Sequence, residues 1–198
     1  MRTRTIALLV TLACTVAGLA VTPTADAATR RYAVITFHKN YANTFRSTLT
    51  WKVFRVRDGQ RTTLVSRSWR AGSGYFRDST NACKRNRGWL PDGRYRPTLF
   101  RDYHGSIIKG RAIYLGAKRC ANGTMRTDLF LHTEQGAGSR QCPNRRGDQA
   151  CRWEYPRIND YRSFGCVKLS PGDLKELYDA WRRSFPLGSP ANVSVRVR

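Results

Sequence analysis

Five cysteines follow residue 27 of this 198-residue chain, and five cannot all pair within one molecule. The residues before them read as a removable leader. Arg2 and Arg4 precede an apolar run from Ile6 to Val21, and Ala25-Asp26-Ala27 supplies an A-x-A cleavage pattern. That run of 16 residues falls short of the roughly 20 that span a bilayer, so the expectation is a signal peptide over 1–27, secretion and no transmembrane span. Cys14 leaves with the leader. In an oxidising compartment the remaining Cys83, Cys120, Cys142, Cys151 and Cys166 must leave one thiol unbridged within the molecule.

Cys142 and Cys151 bracket a polar, turn-rich segment, Pro143 to Ala150, which a local disulfide would close. Cys83 and Cys120 each sit in loop-like surroundings and would form the longer bridge. On the chain-entropy model the two closures stabilise the fold by about 3 and about 4 kcal/mol. Cys166 is then the residue left over. Zinc is the competing use of cysteine, but there is no C-x-x-C pair, and the three histidines do not fall at finger spacing. His132-Thr133-Glu134 matches the H-x-E of zinc deaminases without the P-C-x-x-C that accompanies it. Neither metal nor any other cofactor is expected.

Charge limits the partners. With 36 Lys+Arg against 13 Asp+Glu the chain carries +23, and losing the leader removes two arginines and one aspartate to leave +22. A surface this basic favours polyanions, which outside a cell are wall polymers, anionic lipid surfaces or released nucleic acid, and net charge alone does not choose among them. No module with base-reading or stacking signatures is present, so specific nucleic-acid binding is not expected. Hydrophobic content of 40%, including 5 Trp, 9 Tyr and 8 Phe, excludes wholesale disorder.

The apolar pattern is mainly β. Strands are expected over Tyr32–Phe37, Leu49–Arg57 and Arg61–Val65, the last two joined at Asp58-Gly59, a hairpin signal. Further runs cover Arg111–Leu115 and Asp128–His132, and Val193, Val195 and Val197 alternate with polar residues at the C-terminus. One helix in the C-terminal half is announced by Ser170-Pro171-Gly172-Asp173. Its apolar stripe is Leu174, Leu177, Tyr178 and Trp181, and it stops before Pro186 and Gly188. The intervening stretch from Thr133 to Arg162 is irregular, and long loops of this kind often carry function.

Cys166 follows Gly165 just ahead of the helix cap. A glycine there permits a tight turn and lets backbone N–H groups face a developing oxyanion. Arg162 and Lys168 flank the thiol and favour thiolate. A base is still needed, because an ordinary thiol is mostly protonated at neutral pH. Of His38, His104 and His132, the last ends a strand and enters the loop that returns to Cys166, so His132 is the chosen partner.

These residues resemble a family. Leu129-Phe130-Leu131-His132, a loop, then Ser163-Phe164-Gly165-Cys166-Val167-Lys168-Leu169 with a following helix is similar to the catalytic core of L,D-transpeptidases of the YkuD type. Leu90-Pro91-Asp92-Gly93-Arg94-Tyr95 resembles an earlier segment of that family, and the likeness runs from Trp89 to Trp181. Three departures stand out. Phe164 replaces the usual histidine, Lys168 stands where arginine is commoner, and His132 and Cys166 are 34 residues apart, an interval that a disulfide-closed Cys142–Cys151 insertion would absorb.

The resemblance implies a single β-sandwich domain over 28–198 that acts on peptidoglycan stem peptides. Cys166 would be the nucleophile and His132 its acid–base partner, with Thr133 orienting the imidazole. N–H groups at Gly165 and Cys166 would form the oxyanion site, and Ser163 and Lys168 would position loop or substrate. The acceptor would be a second stem's amine, giving L,D-transpeptidation, or water, giving an L,D-carboxypeptidase. A secreted, non-catalytic protein that binds wall polymers through its basic surface is the alternative from another class.

Overall fold

Asp58 and Gly59 both take positive φ, 52° and 73°, the paired left-handed conformation that closes a two-residue hairpin. They join strands β2 (Ser47–Arg57) and β3 (Gln60–Ala71), so the hairpin read from the sequence forms, with β3 running six residues past Val65. The computed structural model describes residues 29–186 and 190–198. The expected leader over 1–27 and the helix-ending Gly188 lie outside the described residues.

Two sheets enclose one core. In the first, β1 (Arg30–His38) lies between β2, antiparallel, and the C-terminal β9 (Val193–Val197), parallel; β3 and the short β4 (Gly93–Tyr95) form its edges. The second runs β5 (Thr98–His104), β6 (Lys109–Arg119), β7 (Met125–His132) and β8 (Val167–Lys168). Its first three strands are antiparallel, and β8 adds parallel to β7. The alternation of Val193, Val195 and Val197 puts all three in the core, as period-2 patterning requires.

The helix α1 spans Pro171–Ser184, capped by Ser170, whose Oγ accepts from Asp173 N at 3.2 Å. Such a cap contributes about 1 kcal/mol. Leu174, Leu177, Tyr178 and Trp181 are all buried, and the Trp181 ring stacks on Trp51 of β2 with centroids 5.8 Å apart. The stripe thus fixes α1 against both sheets: Ile35, Leu49 and Val53 of the first and Ile113, Leu129 and Leu131 of the second share its core. Among the described residues the architecture is mainly β with a single α-helix, in the C-terminal half. Among the described residues no helix is long and apolar enough to cross a membrane.

Both expected disulfides form, Cys83–Cys120 and Cys142–Cys151, with Cα atoms 5.8 and 5.6 Å apart. Cys166 is the free cysteine among the described residues.

Candidate active site

Parallel pairing of β7 with β8 sets the geometry. Val167 lies opposite Leu131 and Lys168 opposite His132. Leu129, Leu131, Val167 and Leu169 point into the core. Side chains alternate along a strand, so His132, Cys166 and Lys168 share the other face of the sheet, the one overlaid by the segment after His132.

The rest of the Cys166 turn is pinned from three directions. Gly72 exchanges hydrogen bonds with Lys168, its N–H donating to Lys168 O at 3.0 Å and its carbonyl accepting from Lys168 N at 2.8 Å. Ser163 Oγ donates to Cys166 O at 2.5 Å while accepting from Gly74 N at 3.3 Å and Gly165 N at 3.2 Å. Ser163 is therefore a stitch within the turn. Because Gly165 N–H is directed at Ser163, the Cys166 N–H is the one of the two expected oxyanion donors not engaged by Ser163.

Gly165 has φ 121°, a conformation that side chains avoid, and a Cβ there would run into the Arg126 guanidinium. Arg126 is buried in β7. It donates to the carbonyls of Ala82, Gly88 (3.3 Å) and Phe164 (2.8 Å), so one side chain ties the Cys166 turn to the 82–89 loop. Sequence reasoning missed it, since a single arginine in a strand reads as exposed, and its acceptors lie some 40 residues away on either side.

The imidazole is held by backbone. His132 Nδ1 lies 3.0 Å from Thr133 O, which makes Nδ1 the protonated nitrogen and leaves Nε2 to accept or give a proton. The carbonyl of Thr133, not its hydroxyl, does this: Thr133 Oγ1 is buried without a partner. The Cys166 thiol donates to Asp128 O at 3.4 Å, so the two candidate groups face one sheet surface without bonding to each other. His38 belongs to β1 in the other sheet, and His104 is exposed beside Asp102 at the end of β5.

Both groups are neutral at rest. Burial pushes the Cys166 thiol up to about 11, against the pull of the Phe130 backbone, Lys168 and Arg126. Burial also holds His132 down to about 3, and the Lys168 ammonium adds to that. Lys168 itself is drawn into an ion pair with Glu134, both largely buried. Burial raises the Glu134 carboxyl to about 8, with Lys168 opposing it.

Phe164 is 59% exposed and stacks on Tyr75, centroids 5.1 Å apart and planes within 8°. The Arg162 guanidinium lies 5.2 Å from the Tyr75 ring. Phe164, Tyr75 and Arg162 thus form an exposed aromatic ledge beside the turn that carries Cys166.

No family model matches the chain, and no curated protein is similar to it. The solved structure of Bdellovibrio bacteriovorus Bd1075 is similar over 84% of this chain at 14% identity and a TM-score of 0.45. The present chain spans about half the length of that protein, the shared part being 48% of it. A likeness so distant has no bearing on chemistry.

Proposed function

We propose that the chain is a secreted cysteine acyltransferase that works on peptidoglycan stem peptides by L,D-transpeptidation through a thioester at Cys166. The observation that carries this reading is the arrangement on β7 and β8. A free thiol on a glycine turn projects from the same sheet face as a neutral imidazole whose Nδ1 is fixed by a carbonyl. That is the nucleophile, base and orienting group of a thiol acyl transferase. The resemblance of Ser163–Leu169 and Leu129–His132 to the YkuD-type core supplies the substrate class.

In this reading rotation about the Cys166 Cα–Cβ bond turns Sγ from the Asp128 carbonyl toward His132, which lies on the other side of Phe130. Sγ attacks the stem carbonyl as His132 Nε2 takes its proton. The N–H of Cys166 receives the developing oxyanion. Collapse breaks the C–N bond, His132 protonates the departing D-amino acid, and a C–S thioester remains. An incoming amine then gives a cross-link, or water gives a carboxylic acid; in either case His132 takes the acceptor's proton and the thiol is regenerated. Because both groups rest neutral, proton transfer accompanies attack instead of preceding it. The basic surface holds the enzyme on anionic wall polymer.

Intact-mass measurement after exposure to a stem peptide or a carbapenem tests this. The wild type gains one acyl adduct, and Cys166→Ala gains none while melting like the wild type. Acylation that persists in Cys166→Ala, or a wild type that takes up neither compound, overturns the reading and favours a wall-binding protein without catalysis.

A further inference from the structure

A chain with only 13 acidic residues gathers four of them into one spot. Glu134, Asp148, Glu154 and Asp160 each bring a carboxylate oxygen within 4.8 Å of the others. They lie within the irregular segment that follows β7. Carboxylates this close repel one another strongly in a buried setting, and the protein offsets only part of the charge. Lys168 pairs with Glu134, and Arg162 Nη2 lies 2.5 Å from Asp148 Oδ2. Lys168 and Arg162 thus pair with two of the four carboxyls, and among the described residues no cationic side chain is paired with Glu154 or Asp160.

The hydrogen bonding points the same way. Each buried carboxylate is anchored by one oxygen and bare at the other. Glu134 Oε1 takes Lys168, and Glu154 Oε1 accepts from Gln149 Nε2 at 2.9 Å. Asp160 Oδ2 accepts from the backbone N–H groups of Glu154 and Tyr155, the latter at 2.6 Å. Glu134 Oε2, Glu154 Oε2 and Asp160 Oδ1 are buried with no donor from the rest of the protein, in residues only 6%, 7% and 1% exposed; the Glu134 and Asp160 carboxyls face each other closely enough to share a proton when no cation is bound. Buried acceptors are ordinarily satisfied. Three orphans in one cluster, on side chains already oriented by their other oxygens, describe a ligand set.

We infer that Glu134, Asp148, Glu154 and Asp160 bind one hard divalent cation, with calcium the best match. The donors are all oxygen, without the nitrogen or sulfur that zinc sites usually include. Magnesium keeps most of its water and takes one or two carboxylates in a strict octahedron, whereas calcium accepts many carboxylate oxygens in irregular geometry from loops. The sequence expectation of no metal looked for cysteine and histidine spacing, and four acids scattered over 27 residues carry no such signature.

The ion would tie together the exit of β7, the disulfide-closed loop and the turn after Trp153. Through Lys168 and Arg162 it would also fix the residues on either side of the thiol. The site stands whether or not Cys166 performs acyl transfer.

The test uses the full chain, stripped with EGTA and returned to metal-free buffer. Thermal melting is followed against calcium chloride, and terbium luminescence is read with excitation of the indole. Trp153, next to Glu154 and packed edge-on to Tyr161 at 5.0 Å, is the sensitiser. The expected result is a saturable rise in Tm, together with terbium emission that calcium displaces. Asp160→Asn loses both. Asp148→Asn, at the more exposed rim, folds normally and moves the calcium midpoint up at least ~10-fold; it decides the matter if Asp160→Asn fails to fold. A Tm indifferent to calcium with no sensitised emission overturns the site, as does a calcium response of equal midpoint in wild type and Asp148→Asn.

Discussion

The Arg126 guanidinium occupies the space that a Cβ on Gly165 would need. Since Gly165 also sits at φ 121°, alanine there meets two penalties at once, a backbone conformation costing about 1–3 kcal/mol and displacement of a buried cation. The Gly165→Ala variant is expected to melt earlier than wild type. Its thiol will be misplaced too, and errors of about 1 Å in such a group cost on the order of 100-fold. Acylation rate at Cys166, measured by mass spectrometry on protein shown to be folded, checks this; a wild-type rate would mean that the turn does not position the thiol.

Arg126 should matter for stability in its own right. It is 3% exposed and serves the carbonyls of Ala82, Gly88 and Phe164. Arg126→Met keeps the aliphatic bulk and leaves those acceptors buried and unpaired, at about 1–3 kcal/mol each. A loss of at least about 3 kcal/mol in denaturant unfolding is expected, with Arg126→Lys falling between. A loss under about 1 kcal/mol would show that water replaces the guanidinium at little cost.

The contrast between α1 and the Arg126 site shows what a sequence of this kind reveals. Ser170, Pro171 and the stripe from Leu174 to Trp181 are local signals, and the helix forms where they place it. The hairpin at Asp58-Gly59 and the strand before His132 are legible for the same reason. β5 is not, because its register shifts between Phe100 and Tyr103 and the exposed Arg101 and Asp102 break its alternation. β8 has two residues, and its pairing partner is 36 positions upstream. At the site, the free thiol followed from cysteine arithmetic and the Thr133 contact from adjacency. Arg126 and the four clustered carboxylates were invisible because their meaning lies in burial and in partners distant along the chain.

The two disulfides differ in the chain they close, 37 residues for Cys83–Cys120 against 9 for Cys142–Cys151. If restriction of the unfolded state dominates, removing the longer loop costs about 4 kcal/mol and the shorter about 3 kcal/mol. The paired variant Cys83→Ser/Cys120→Ser is therefore expected to unfold at lower denaturant than Cys142→Ser/Cys151→Ser. The reverse order would mean that the short bridge acts through the folded state, by holding the irregular segment over His132.

Cys166 provides the pH-dependent prediction. Its thiol is raised from an ordinary value of 9.0 to about 11 by burial, so the folded protein keeps the proton that an unfolded chain would lose. Stability contributed by the neutral thiol is complete below pH 9 and fades as pH rises through 11. The wild type should thus lose stability relative to Cys166→Ser above pH 9, while the difference between the two stays constant below it. The same shift governs reactivity: at pH 7 the thiolate fraction is about 100-fold below that of an unperturbed cysteine. Alkylation by iodoacetamide should accordingly be slow at neutral pH and climb about tenfold per pH unit without levelling before pH 10. A plateau between pH 6 and 8 would instead reveal a thiolate already stabilised by Lys168 and Arg126, and the resting pair with His132 would then be ionic.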